Sequence, residues 1–118
     1  MAVQTLSDWS WPAFGVDTRT QADFVQWFGL STAQAKILEA LYLANGQWLS
    51  HKRLADMARL DAPSAAKWNL HHIRNALNKD GIEGRNEMIE GKTQYGNRLT
   101  PKGLAECKQA LQLMKEAK

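Results

Sequence analysis

The sequence predicts a mainly α-helical fold with one small β-hairpin. In most of the chain, apolar residues recur at spacings of three and four, which is typical of helices that bury one face. Residues that start and stop helices separate these segments. Between residues 82 and 100 the helical period is lost and glycines stand at positions 84, 91 and 96, which favours short strands joined by turns.

Length and cysteine content favour a single small domain in a reducing compartment. A chain of 118 residues can bury a modest core without disulfides or a structural metal. The single Cys107 cannot form an intramolecular disulfide, and the first residues lack the basic and apolar regions of a signal peptide. No apolar run is long enough to cross a bilayer. We therefore expect a cytoplasmic protein that does not interact with membranes.

The charge is distributed unevenly along the chain. The formal net charge is +3 and the pI is about 9.2. Residues 1–30 contain three Asp and one Arg, whereas the remaining 88 residues contain 14 Lys and Arg against 9 Asp and Glu. A basic body of this kind attracts polyanions, of which nucleic acid is the most common.

Residues 1–30 form an aromatic N-terminal arm, which we expect to pack on the body, residues 31–118, or on a partner. Within the arm, the stretch from Thr20 to Phe28 predicts a short helix that ends at Gly29. Buried aromatic rings remove large apolar areas from water. The aromatic residues of the arm are Trp9, Trp11, Phe14, Phe24, Trp27 and Phe28. We expect Phe24, Trp27 and Phe28 to lie on one side of the short helix.

Two further helices follow with clear boundary signals. Ser31 and Gln34 have capping-box spacing, and Asn45-Gly46 ends the first helix with residues that tolerate a left-handed conformation. Its buried stripe is expected to contain Ile37, Leu38, Leu41 and Tyr42. After the short extended piece Gln47-Trp48-Leu49, Ser50 caps the second helix, HKRLADMARL. Pro63 disfavours a helical conformation at Ala62, which predicts the end of this helix.

The stretch from Ser64 to Asp80 predicts a long helix with one apolar and one basic face. Its apolar stripe consists of Ala66, Leu70, Ile73 and Leu77. Within this stretch, no acidic residue occurs before Asp80. The outward face suits phosphate oxygens and base edges, although a merely solvated basic face is the alternative. Its members are Lys67, Trp68, His71, Arg74, Asn75, Asn78 and Lys79.

After Gly81, which ends the long helix, the sequence predicts a β-hairpin and a last helix. Met88-Ile89 and Arg98-Leu99 are the candidate strands. Thr100-Pro101 supplies a cap and a proline at the first helical position. The apolar stripe of the last helix could cover the domain or pair with a second copy of the chain; it consists of Leu104, Cys107, Leu111 and Met114.

This order of elements resembles the winged helix-turn-helix superfamily, over about 70 residues from Ser31 to Thr100. The local likeness is to the output domains of bacterial response regulators, through His72-Ile73-Arg74 and the hairpin from Ile89-Glu90 to Gly96-Asn97-Arg98-Leu99. The junction from Arg98 to Gly103 is similar to that of small winged-helix repressors. Three features depart from the family: the long linker from Gly81 to Glu87, the lack of a receiver domain, and the aromatic arm.

The resemblance implies sequence-specific binding of double-stranded DNA by a transcriptional regulator of bacterial or phage type. A homodimer would place its two recognition helices about one DNA turn apart. The DNA-binding candidates that the resemblance implies in the helix are Ser64, Lys67, Trp68, His71, Arg74, Asn75, Asn78 and Lys79. In the wing, the candidates are Lys92, Gln94, Tyr95, Asn97 and Arg98. The wing tip lies either near Glu90-Gly91-Lys92 or, as the family pattern favours, near Tyr95-Gly96-Asn97.

Other classes of function have less support in the sequence. A metal site is not expected, because His71 and His72 point in different directions, His51 stands apart and Cys107 lies in an apolar stripe. No nucleotide-binding glycine motif occurs, so we expect no cofactor and no enzymatic activity. The alternative function is a protein-protein interaction module that uses the aromatic arm. Trp68 fits either DNA contact or an interface with that arm.

Overall fold

The computed structural model describes residues 18–79 and 88–117, which form five helices and one antiparallel β-hairpin. The predicted mainly α-helical fold with a small hairpin is therefore confirmed. The helix end at Gly81, the linker to Glu87 and the rings of Trp9, Trp11 and Phe14 lie outside the described residues. The elements are α1 (Thr18–Phe28), α2 (Thr32–Leu43), α3 (His51–Ala58), α4 (Pro63–Lys79), β1 (Ile89–Lys92), β2 (Gly96–Leu99) and α5 (Pro101–Glu116).

The predicted boundary residues of α2 are confirmed. The Gln34 backbone N–H donates to the Ser31 hydroxyl at 3.2 Å, and the Ser31 N–H donates to the Gln34 side chain at 3.0 Å. This reciprocal pair satisfies two of the N–H groups that a helix start leaves without a helical partner. At the other end, Asn45 and Gly46 adopt positive φ angles of 55° and 88° and reverse the chain after α2.

Serine and threonine also cap α3 and α5. The Ser50 hydroxyl accepts the Arg53 N–H at 3.0 Å, and the Thr100 hydroxyl accepts the Gly103 N–H at 3.1 Å. The predicted end of α3 at Leu60 is wrong by two residues. Arg59 takes a left-handed conformation with φ of 58°, so the helix ends at Ala58.

The core lies between the five helices and the hairpin and follows the predicted stripes. Phe24 and Phe28 of α1 are buried, and the Phe24 ring centroid lies 6.1 Å from that of the half-buried Tyr42. Trp27 does not share this buried side, because α1 contacts α2 and α5 along the line of Phe24 and Phe28 and leaves the Trp27 ring 36% exposed. The other large core side chains include Ile37, Leu38, Leu41, Leu54, Leu70, Ile73, Met88 and Leu99.

A buried polar contact fixes α1 on α2. The Gln21 side-chain amide donates to the Glu39 carboxylate at 2.9 Å, and both residues are buried. A buried carboxylate is costly unless hydrogen bonds satisfy it. This contact, which the sequence did not predict, therefore favours one position of α1 on the domain.

The hairpin pairs Ile89 with Leu99 and Gly91 with Asn97. Its turn consists of residues 93–95, which includes Tyr95 of the second position considered for the tip and no residue of the first. Leu49 extends this sheet, because its N–H and C=O each form a 2.7 Å hydrogen bond with the backbone of Asn97. The predicted extended piece before α3 is thereby attached to the hairpin.

Among the helices of the described ranges, none is both long enough and apolar enough to traverse a lipid bilayer.

Candidate nucleic-acid interface

An open groove of about 820 Å³ lies between α4 and the hairpin, and Ser50 and His51 at the start of α3 also line it. It brings together seven of the predicted site residues: Lys67, His71 and Arg74 from α4, and Lys92, Gln94, Tyr95 and Asn97 from the hairpin. Among the described residues that line it, none carries a carboxylate. The groove therefore combines positive charge with hydrogen-bond donors.

The helical period places the cations of α4 on the side that faces the hairpin. Ala66 and Ile73 are buried, which fixes the rotation of α4 about its axis. Lys67 and His71 are exposed, and Arg74 is half-buried where the helix meets the strands. Residues three and four apart share a helix face, so these three side chains form one row along the groove.

Arg74 is held where helix and hairpin meet. Its Nη2 donates to the Asn97 side-chain oxygen at 3.4 Å. Asn97 is only 5% exposed, and its backbone is paired with Leu49. We expected Asn97 to contact DNA, and this stays a prediction; in the structure Asn97 is buried and its side-chain oxygen accepts from Arg74.

His51 is a groove residue that the sequence analysis set aside. It follows the Ser50 cap and lies between the hairpin and α4. Burial lowers its pKa below the usual histidine value, and the positive charges of Lys67 and Arg74 lower it further. The one available signal was its position next to the extended piece that pairs with the hairpin.

A second row of side chains on α4 lies outside the groove lining. Trp68 is 63% exposed, and its ring centroid lies 4.4 Å from that of the half-buried His72. The Asn75 amide lies 3.2 Å from His71 Nε2. Ser64 is exposed near the start of the helix, and the side chains of Leu77, Asn78 and Lys79 lie outside the described set.

Arg98 occupies the opposite face of the hairpin. Its guanidinium contacts the Glu90 carboxylate at 2.8 Å and lies over the Trp48 ring, 5.0 Å from the centroid. Trp48 also contacts Tyr95, with 5.5 Å between ring centroids, so the prediction that it packs against the hairpin is confirmed. We expected Arg98 to contact DNA, and this stays a prediction; in the structure its guanidinium pairs with Glu90 and covers the Trp48 ring.

Cys107 lies away from the groove, in the core. Cys107 is buried, and burial raises the pKa of its thiol well above the usual range, with Glu106 adding to the shift. In the two described segments, no three residues of the His, Cys, Asp and Glu types are arranged to hold a metal ion.

No protein-family model matches the chain, and no curated protein or solved structure has significant similarity to it. Its function therefore has to be inferred from the chemistry of the groove.

Proposed function

We propose that this protein is a winged helix-turn-helix regulator that binds specific sequences in double-stranded DNA. The order of elements supports this proposal. The short turn of residues 59–62 joins α3 to α4, and the hairpin follows with Leu49 paired to it. In this arrangement α4 is the recognition helix, and the hairpin is the wing beside it.

The observation that carries the proposal is the groove between α4 and the hairpin. Lys67 and Arg74 approach it from the helix, and its described lining contains no carboxylate. Lys92 lines it from the hairpin, with its ammonium 3.9 Å from the Glu90 carboxylate. Such cations neutralise backbone phosphates and release the counterions condensed on DNA. A B-DNA major groove is wide enough to admit an α-helix, so α4 could present the same face to base edges.

The test is the electrophoretic mobility of duplex DNA with purified protein over a range of salt concentrations. We expect Lys67→Ala to weaken binding and to reduce the slope of log affinity against log salt by about 0.9, the value for one phosphate contact. Arg19→Ala is the matched control, since Arg19 is exposed on α1, which packs on α2 and α5 and does not line the groove. Its slope should equal that of the unmodified protein. No mobility shift at low salt would overturn the proposal.

Exposed aromatic rings favour a second candidate function, a protein-interaction module. Trp68 is 63% exposed and Trp27 is 36% exposed, and protein interfaces are enriched in tryptophan. The two candidates differ in one measurement on Trp68→Ala. Weakened duplex binding would assign Trp68 to the DNA interface, whereas unchanged duplex binding would favour a protein contact.

We further propose that the protein acts as a homodimer through the edge where α2 meets α5. Leu43, at the end of α2, is 48% exposed there and lies beside Leu104 and Ala105 of α5. Joining two copies would bury this apolar surface and allow two α4 helices to contact successive turns of DNA. Sedimentation should show a concentration-dependent dimer that Leu43→Glu converts to monomer. A monomer at all concentrations would contradict this part of the proposal.

A further inference from the structure

We infer, on the basis of the proposed duplex binding, that Arg74 recognises a guanine base and that Asn97 and Gly91 are the residues that position it. The proposed function assigns no residue to the recognition of a particular base. The contacts around Arg74 go further, because they distinguish it from the other cations of the groove.

The guanidinium of Arg74 is held by a neutral partner. Asn97 Oδ1 accepts from Nη2 at 3.4 Å, and Asn97 is fixed in turn by its burial and by its backbone pairing with Leu49. A guanidinium has five N–H donors, and this contact uses one nitrogen of the three. The side chain is therefore oriented while its positive charge is retained.

The two groove lysines are in a different situation. Lys67 is exposed, and Lys92 is exposed with its ammonium 3.9 Å from the Glu90 carboxylate. A lysine is a flexible point charge that suits a phosphate, whereas a fixed guanidinium fork suits two acceptors in one plane. Arg74 is thus the groove cation best suited to distinguish one base from another.

Guanine has the acceptor pattern that matches such a fork. In the major groove it presents O6 and N7 side by side, and arginine donates to both. Adenine presents an amino donor in place of O6, so the same fork would meet a donor and lose one hydrogen bond. The orientation of Arg74 therefore favours guanine over adenine at one position of the site.

Gly91 leaves space for the contact between Arg74 and Asn97. A Cβ at this position would lie 2.9 Å from Asn97 Oδ1 and 3.0 Å from Arg74 Nη2. Both atoms are at the ends of side chains, so alanine should be accommodated by displacing them while the strand is retained. Gly91→Ala therefore tests the position of the guanidinium without removing any charge.

The experiment begins with selection of preferred duplexes from a random pool by the full-length protein. Each guanine of the selected site is then replaced by 7-deazaguanine, which lacks the N7 acceptor and still pairs with cytosine. We expect the unmodified protein to lose about tenfold in affinity at one guanine of each half-site. Arg74→Ala, which has no side-chain donor, should lack preference for that guanine and should show no further loss with the deaza base.

The positioning residues have a distinct expected signature. Gly91→Ala and Asn97→Ala should lose preference at the same guanine, while the salt slope and the affinity for unrelated duplex stay within about twofold. Circular dichroism would show whether Asn97→Ala folds, and Gly91→Ala supplies the result if it does not. Arg98→Ala is the matched control on the other face of the hairpin and should keep the full base preference.

Two results would overturn the assignment, and they are distinguishable from failure of the proposed function. If Arg74→Ala loses affinity equally on every duplex, Arg74 contacts phosphate. If the position-specific loss with 7-deazaguanine persists in Arg74→Ala, another residue recognises that base. In both cases the unmodified protein still binds duplex. If the unmodified protein binds no duplex, the proposed function and the assignment of Arg74 are both wrong.

Discussion

Arg74 and Arg98 lie on opposite faces of the same strand, β2, and differ in the partner of their guanidinium group. Arg98 meets the Glu90 carboxylate at 2.8 Å and covers the Trp48 ring. Arg74 meets the amide oxygen of Asn97 at 3.4 Å, in a groove whose described lining has no carboxylate. A neutralised arginine contributes to local stability, whereas an arginine held by a neutral group keeps its charge for an anionic ligand.

One strand thus contacts an arginine that stabilises the hairpin and an arginine that lines the groove. Neighbouring residues in a strand point to opposite faces, so Asn97 faces α4 and Arg98 faces Trp48. Each arginine therefore has its own surroundings, although both depend on the same backbone. Changes that displace β2 should affect both arginines, and changes in one side chain should affect only one of them.

The largest expected effect follows from Gly96→Ala, which displaces β2 as a whole. Gly96 has a φ of 100°, and a Cβ there would lie 2.3 Å from the carbonyl oxygen of Leu49. Backbone strain and overpacking together should cost about 2–5 kcal/mol. Chemical denaturation should show this loss, together with loss of duplex binding. Gly91→Ala is the matched control, and equal stability of the two variants would show that β2 does not depend on close contact with Leu49.

The next largest effect should be the difference between Arg74→Ala and Arg98→Ala in DNA binding. Removing Arg74 deletes an available groove cation, and we expect duplex affinity to fall by about tenfold or more at moderate salt. Removing Arg98 deletes a charge that Glu90 already neutralises, so affinity should change by less than about twofold. Fluorescence anisotropy on one labelled duplex would measure both. Equal losses would mean that the distinction between the two faces has no role in binding.

For the stability of the fold, we expect the removal of Arg98 to have a larger effect than the removal of Arg74. Arg98→Ala removes a partly exposed ion pair and a contact with Trp48, which should cost about 0.5–1 kcal/mol. Glu90→Gln should produce a similar or smaller loss. Because it leaves the charge of Arg98 in place, it should also raise duplex affinity slightly. Urea unfolding measures the first effect, and an affinity lowered by Glu90→Gln would contradict the second.

The smallest expected effect is a pH dependence of stability through His51. The folded state lowers the pKa of His51, mainly by burial and then by the charges of Lys67 and Arg74. The unfolded chain therefore binds the proton more tightly, and stability should fall as pH drops below about 6.5. Thermal unfolding between about pH 8 and pH 5 should show a smaller decrease for His51→Gln than for the unmodified protein. Identical curves would show that His51 does not contribute.

Local features of the fold could be predicted from the sequence because their causes lie within a few residues. The capping box of Ser31 and Gln34 and the cap at Thr100 depend on contacts over three residues. The buried side of α4 follows from its apolar period, and the residues named for the groove follow from the polar side of the same helix. Arg59, whose left-handed conformation ends α3 early, had no comparable signal.

Contacts between distant segments could not be predicted in the same way. The pairing of Arg74 with Asn97 depends on how α4 meets the hairpin, and no local pattern specifies that meeting. His51 belongs to the groove for the same reason. The sequence also gave no means to divide the polar hairpin residues between its two faces, since the register and the position of the turn decide that division.

The hydrogen bond between Gln21 and Glu39 has a practical consequence for dissecting the protein. A fragment that starts at Ser31 would lack the Gln21 amide and would expose to water the core surface now covered by Phe24 and Phe28. Shortened versions intended for crystallisation or NMR should therefore keep the chain from Thr18 onward.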